Sequence, residues 1–115
     1  MERRAYPRVK WRFVVKFRGI SSEDQNWEFS TLNNISLGGC SFSSSRVFKT
    51  GEVLELQIKF PVSRDFLAFR GEVKRCEEIK GECGYRIAVS FLEVEEEKKE
   101  LLSMTVEIAR RKGQA

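Results

Sequence analysis

The sequence predicts an all-β domain of six short antiparallel strands followed by one C-terminal α-helix. Three observations lead there. Apolar residues alternate with polar or charged ones in six separate stretches, which is the period of a half-buried strand. Turn-forming residues separate those stretches at short intervals. After the last stretch the apolar spacing changes to three and four, the period of an amphipathic helix. With 115 residues the chain fits one domain with one core. Pattern alone leaves a barrel and a sandwich open.

In the first strand Val9, Trp11, Phe13, Val15 and Phe17 alternate with Lys10, Arg12, Val14, Lys16 and Arg18, giving an apolar face and a mostly cationic one. A polar loop runs from Gly19 to Asn26. Trp27 and Phe29 then alternate with Glu28 and Ser30, so a second strand reaches to about Leu32 or Asn34. Trp11 and Trp27 fall on the apolar faces and are expected in the core. The pair Gly38-Gly39 marks a break, and a short third strand places Cys40 and Phe42 on one face and serines on the other. A loop covers Ser43 to Gly51. Leu54, Leu56, Ile58 and Phe60 make the fourth strand, ended by Pro61 to Asp65. Leu67, Phe69 and Val73, alternating with Arg70, Glu72 and Lys74, make the fifth. Ile79-Lys80-Gly81-Glu82 reads as a hairpin turn. Tyr85, Ile87, Val89 and Phe91 make the sixth. Glu95 to Glu97 open the helix and Arg110, Arg111 and Lys112 close it, an order that complements the helix dipole. Its stripe is Leu101, Thr105 and Ile108, with Leu102 and Met104 beside them. The helix is expected to pack over one end of the sheet or barrel.

The composition, 41% hydrophobic and 33% charged, is that of a globular chain. No apolar run approaches the roughly 18 residues a membrane span needs, and no apolar region follows the charged N-terminus as in a secretory signal. The expectation is a cytoplasmic protein without membrane insertion. Histidine is absent, which removes Ser-His and Cys-His catalysis and the commonest zinc ligand. No pair among Cys40, Cys76 and Cys83 has C-x-x-C spacing, so reduced thiols are expected. Strand parity sets Cys76 and Cys83 on opposite faces unless a bulge intervenes, with Cys83 in the core and Cys76 at the surface.

The net charge is +4, and residues 1–18 alone carry +6. The positive surplus therefore sits wholly at the N-terminus. An anionic partner docking there is one account, and a solvated basic arm is the other. Within it lies Arg3-Arg4-Ala5-Tyr6-Pro7-Arg8. Pro7 lacks a donor N–H and pushes Tyr6 away from the α region, so this segment is extended or turned. Fully extended, Arg4 and Arg8 stand about 13 Å apart on one face. The other polar feature is Asn34-Ile35-Ser36-Leu37-Gly38-Gly39, a turn between two strand-like runs. Taken alone it is an ordinary polar turn with local side-chain to backbone bonds.

Arg4 to Arg8 matches R-x-x-x-R and Asn34 to Gly39 matches [D/N]-x-S-x-x-G, about 30 residues apart and in this order. The chain resembles the PilZ domain family, bacterial receptors for cyclic di-GMP. The likeness covers both motifs, the strand pattern and the terminal helix. It implies a six-stranded split barrel over 9–93, a ligand-binding arm over 1–8, a helix over 94–112, and no catalysis or cofactor. The site residues it implies are Arg3, Arg4, Arg8, Asn34, Ser36, Gly38 and Gly39. Guanidinium forks match phosphate oxygens and guanine O6 and N7 in a way lysine does not. Asn34 offers one acceptor where the family often has an aspartate with more. Ser36 can donate to a phosphate or accept from a guanine. Gly39 is expected to supply φ > 0 or close approach to ligand. Arg3 is compatible with a stacked pair of ligands. Arg12, Arg70, Arg75 and Arg86 either rim the site or are solvated strand faces. The output is expected to pass through a separate downstream protein.

Two other functions compete: a single-stranded nucleic-acid binder on a small basic barrel, which calls for aromatics on an outer strand face, and a protein-interaction scaffold. Arg8→Ala and Arg4→Ala are each expected to weaken cyclic di-GMP binding by about 2–4 kcal/mol, because a charge-assisted bidentate contact is lost. Arg18→Ala serves as the control with little effect, all three measured by titration calorimetry on folded protein.

Overall fold

The computed structural model describes residues 13–21, 25–60 and 65–114, with side chains through residue 107. The arginines and tyrosine of 1–8, and Trp11 and Arg12, lie outside the described residues. The elements are β1 (Val14–Gly19), β2 (Glu28–Ile35), β3 (Gly39–Ser44), β4 (Val53–Lys59), β5 (Phe66–Glu78), β6 (Tyr85–Leu92) and α1 (Glu96–Gln114). They form a closed barrel in the order β1-β2-β3-β6-β5-β4, with every neighbouring pair antiparallel. Closure gives every described strand a neighbour on both sides. The helix starts and ends two residues later than the spacing suggested.

Alternation does what it predicts in three strands. Val15 and Phe17 of β1, Leu54, Leu56 and Ile58 of β4, and Ile87 and Val89 of β6 all point into a shared core. Burial of each such side chain stabilises by roughly 1.5–3 kcal/mol relative to exposure. Aromatic rings fill both ends. Phe17 meets Phe42 at 4.4 Å and Phe48 at 6.1 Å. Phe60 and Phe91 flank Phe69, at 6.1 and 4.9 Å. The helix covers the Phe69 end. Leu102 and Thr105 are buried beneath it, and Lys98 donates to the Ala68 carbonyl of β5 while its ammonium lies 5.4 Å from the Phe69 ring centroid. Met104, placed beside the stripe by spacing, is instead exposed.

Two strands depart from simple alternation, and each carries a β-bulge. The pairing of β2 with β3 shifts between Leu32 and Asn34. The pairing of β5 with β6 shifts between Val73 and Arg75. One extra residue reverses the facing of all that follow it. Val73 is inward and opposite Val89, but beyond the shift Cys76 lies opposite the buried Ile87. Cys76 is consequently half-buried against the core and Cys83 is exposed, the reverse of the parity expectation. All three cysteines are free.

In β2 the facing before the bulge also corrects the sequence reading. Phe29 is 63% exposed and Trp27 half-buried on the outer side, so neither is core. The inward residue is Glu28. Its carboxylate accepts from the Ser44 hydroxyl at 3.2 Å, the Ser45 amide at 2.6 Å and Arg46 Nε at 3.3 Å. Two aromatic residues at alternate positions suggested burial, but the paired carboxylate has the better claim on the barrel end.

Burial pushes the Cys40 thiol up from 9.0 to about 12. A raised thiol pKa favours the folded state fully below pH 9 and less as pH rises toward 12, because the unfolded thiol ionises first. At pH 8, alkylation with iodoacetamide followed by peptide mass analysis should label Cys83 first and Cys76 more slowly. Cys40 should react only on global unfolding, and equal labelling of Cys40 and Cys83 in folded protein contradicts this arrangement.

Candidate functional site

The β2 bulge decides where Asn34 points. Glu28, Ser30 and Leu32 face inward, so in an unbulged ladder Asn34 would follow them. With the bulge, Ile35 turns in toward Cys40 and Asn34 turns out. The β5 bulge does the same for Arg75, which would otherwise follow Val73 into the core. The register then sets four outward residues side by side across four strands: Asn34 beside Ser41, Ser41 beside Ala88, and Ala88 beside Arg75.

Together they cross an open hollow of about 600 Å³ on the barrel wall. Gly39, Ser41, Ala88 and Ser90 lie along its middle, and Asn34, Ser36 and Gly38 at one side. Lys74, Arg75, Glu77 and Arg86 lie at the other. Small side chains in the middle leave room for a flat ring. Cations outnumber carboxylates three to one among these lining residues. Arg75 and Glu77 pair loosely at 3.8 Å with both side chains mostly exposed, worth little against water. Arg86 has no ion-pair partner among the described residues. The described wall therefore favours an anion with planar groups.

The Asn34–Gly39 turn is held from three sides. The Ser36 amide donates to the Gly39 carbonyl at 2.8 Å, and the Phe91 amide donates to the Gly38 carbonyl at 2.8 Å. The Ser36 hydroxyl makes two long local bonds, accepting from the Gly38 amide at 3.3 Å and donating to the Gly39 carbonyl at 3.4 Å. Both are at the weak limit of the interaction, so a ligand can displace them at low cost. Gly39 does not have a positive φ, the first of the two roles expected of it. It is needed for a different close approach: a Cβ there would stand 2.0 Å from the Val89 carbonyl oxygen. A Cβ at Gly38 meets nothing within 4 Å.

Thus the structure brings together Asn34, Ser36, Gly38 and Gly39, while Arg3, Arg4 and Arg8 fall outside the described residues. Of the four arginines named as rim or solvated face, Arg75 and Arg86 line the hollow. Arg70 lies on the outer side of β5 before the bulge, away from it. Lys74 was not foreseen. Arg86 shares parity with Ala88 and could be read from the sequence, whereas Arg75 is outward only through the bulge. Among the described residues no group of acidic or cysteine side chains is placed to hold a metal ion, and no helix is long and apolar enough to cross a membrane.

The PilZ domain family model matches residues 2–107. The chain belongs to the PilZ domain family. This is a family of cyclic di-GMP receptors whose domains are generally not catalytic. Solved PilZ-type structures share the fold. The PilZ domain of YcgR from Escherichia coli, solved with c-di-GMP, aligns over 96% of this chain and 93% of its own at 16% identity, with a TM-score of 0.66. The inhibitor of motility MotI/DgrA of Bacillus subtilis aligns over 94% of this chain at 19% identity, TM-score 0.69. MrkH of K. pneumonia in its apo state aligns over 97% at 16% identity, TM-score 0.68. The PilZ chain spans about half the length of the last two, 52% and 55%. No curated protein sequence matches it.

Gly39→Ala is expected to lower stability by about 1–3 kcal/mol, since β3 cannot keep its distance from β6. Gly38→Ala should change it by less than about 0.5 kcal/mol. Urea denaturation of both variants checks the contrast.

Proposed function

We propose that this PilZ domain binds cyclic di-GMP in the hollow between the Asn34–Gly39 turn and the Lys74, Arg75 and Arg86 side, with Arg3, Arg4 and Arg8 supplying further guanidiniums. The observation that carries this is the row Asn34–Ser41–Ala88–Arg75, which two bulges turn outward onto one small-residue floor. Its chemistry fits a cyclic dinucleotide. Asn34 accepts from guanine N–H groups, Ser36 trades its weak local bonds for a phosphate or a guanine, and Gly38 leaves open space for a base. The arginines take phosphate oxygens or guanine O6 and N7 as bidentate forks. A stacked pair of ligands brings four phosphate charges, and the cations of the wall and the arm together offset these. Ordering of the arm over the ligand then changes the surface offered to a separate downstream protein in the cytoplasm.

Calorimetric titration with cyclic di-GMP, repeated with cyclic di-AMP, tests this. Binding of the first, with the second much weaker, is expected, at two ligands per chain. Ser36→Ala, Arg75→Ala and Arg86→Ala should each weaken binding by about 1–2 kcal/mol. Asn34→Asp should tighten it, because a carboxylate accepts two bonds from guanine. Arg70→Ala, on the other flank, should be silent. If Arg75→Ala and Arg86→Ala both bind like the parent, the hollow is not the ligand wall. A ratio of one ligand per chain refutes the stacked pair alone.

A further inference from the structure

The opposite flank of the barrel carries a second surface, of cations interleaved with aromatic rings. There the register sets the outward residues of β2, β1, β4 and β5 in rows. Phe29 stands beside Lys16, Lys16 beside Gln57 and Gln57 beside Ala68. One step along, Arg18 stands beside Glu55 and Glu55 beside Arg70. Across the rows spanned by Val14, Lys16 and Arg18, the cations Lys16, Arg18, Lys59 and Arg70 oppose one carboxylate, Glu55.

Three rings interleave with those cations. The Lys16 ammonium lies 4.8 Å from the ring centroid of Phe66, 5.2 Å from that of Trp27 and 5.9 Å from that of Phe29. The Arg18 guanidinium lies 4.2 Å from the Trp27 ring and pairs with Glu55 at 2.8 Å. Lys16 and Arg70 have no carboxylate partner among the described residues. A cleft of about 270 Å³ opens between this sheet face and the start of α1, with Trp27, Gln57, Ala68 and Arg70 on its sheet side. Ala68 is the small residue that makes it hollow. Three carboxylates line it: Glu55 is taken by Arg18, Glu95 by Lys98 at 3.2 Å, and Glu93, which has no ion-pair partner among the described residues, lies on the side of the cleft toward α1.

We propose that this face docks an acidic segment of a partner protein, with an aromatic or aliphatic side chain of that segment seated in the cleft beside Ala68 and its carboxylates on Lys16 and Arg70. Charge complementarity selects the occupant: two cations here lack acid partners among the described residues, and the exposed Phe29 and half-buried Trp27 supply the aromatic contact area that protein interfaces favour. Caging by three rings fixes Lys16 in advance, so less conformational freedom is lost on docking. Single-stranded nucleic acid is the poorer fit. It needs free ring faces for base stacking, and here Lys16 and Arg18 already lie over the rings of Trp27, Phe29 and Phe66. This surface is independent of cyclic di-GMP binding.

The test is an NMR titration of the isotope-labelled chain. The probes are a short acidic peptide with a central phenylalanine, the same peptide with lysine for glutamate, and a thymidine oligonucleotide. The acidic peptide should shift amides of Lys16, Arg18, Phe29, Gln57, Ala68 and Arg70 and leave those of 34–39 in place. Raising the salt should weaken it, and Arg70→Glu should weaken it about tenfold. Phe29→Ala should weaken it severalfold. Both residues are exposed, so a thermal melt should show folded variants. The proposal is overturned if the acidic peptide gives no shifts on this face, if the lysine peptide shifts it equally, or if the oligonucleotide binds there in preference to the peptide.

Discussion

A strand's side chains alternate strictly, so a residue's facing is settled by every residue before it in the ladder. This parity is what the molecule breaks to form the row Asn34–Ser41–Ala88–Arg75. In β2 the inward series Glu28, Ser30, Leu32 would continue to Asn34, and in β5 the series Phe69, Gly71, Val73 would continue to Arg75. Single-residue bulges interrupt both series at the point where the strands pass from one flank of the barrel to the other. Before the bulges these strands lend Phe29 and Arg70 to one outer face, and after them Asn34 and Arg75 to another. Pair the same sequence without either bulge and a polar side chain enters an apolar core, while the row across Ser41 and Ala88 loses an end.

The same fact divides what sequence could show from what it could not. β1, β4 and β6 are unbroken, and their inward residues are those the period of two assigns. The helix was legible from its spacing and its charge order, and the two motifs from residue type and separation. Apart from Met104 on the helix, the misassigned residues sit on the two bulged strands or beside them. Cys76 and Cys83 exchanged environments because parity was counted across an irregularity that leaves no local mark in composition. Phe29 and Trp27 were placed in the core because aromatic residues at alternate positions look buried, and nothing in the sequence signalled that Glu28 would be drawn inward by Ser44, Ser45 and Arg46. Arg75 as a wall residue was hidden for the reason Cys76 was.

Motif residues also turn out to answer to more than one demand. Gly39 belongs to the recognition pattern, yet its missing Cβ is required first by the Val89 carbonyl on the neighbouring strand. Ser36 keeps its hydroxyl occupied with bonds long enough to give up. Gly38 differs from Gly39 in that a side chain there would meet nothing, so the fold itself does not require a glycine at that position. Fold and site are thus written into one hairpin end, with different residues answering to each.

The Phe91 amide clamps the Gly38 carbonyl, and the Ser36 amide clamps that of Gly39. A hairpin tip bolted to its neighbour in this way behaves as an anvil, not a flap. Whatever accommodates the shape of an incoming molecule has to be supplied from outside this tip. Under the proposed binding, selectivity at this edge would come from a template held in place, and β6, through Phe91, would be the strand that registers any load placed upon it.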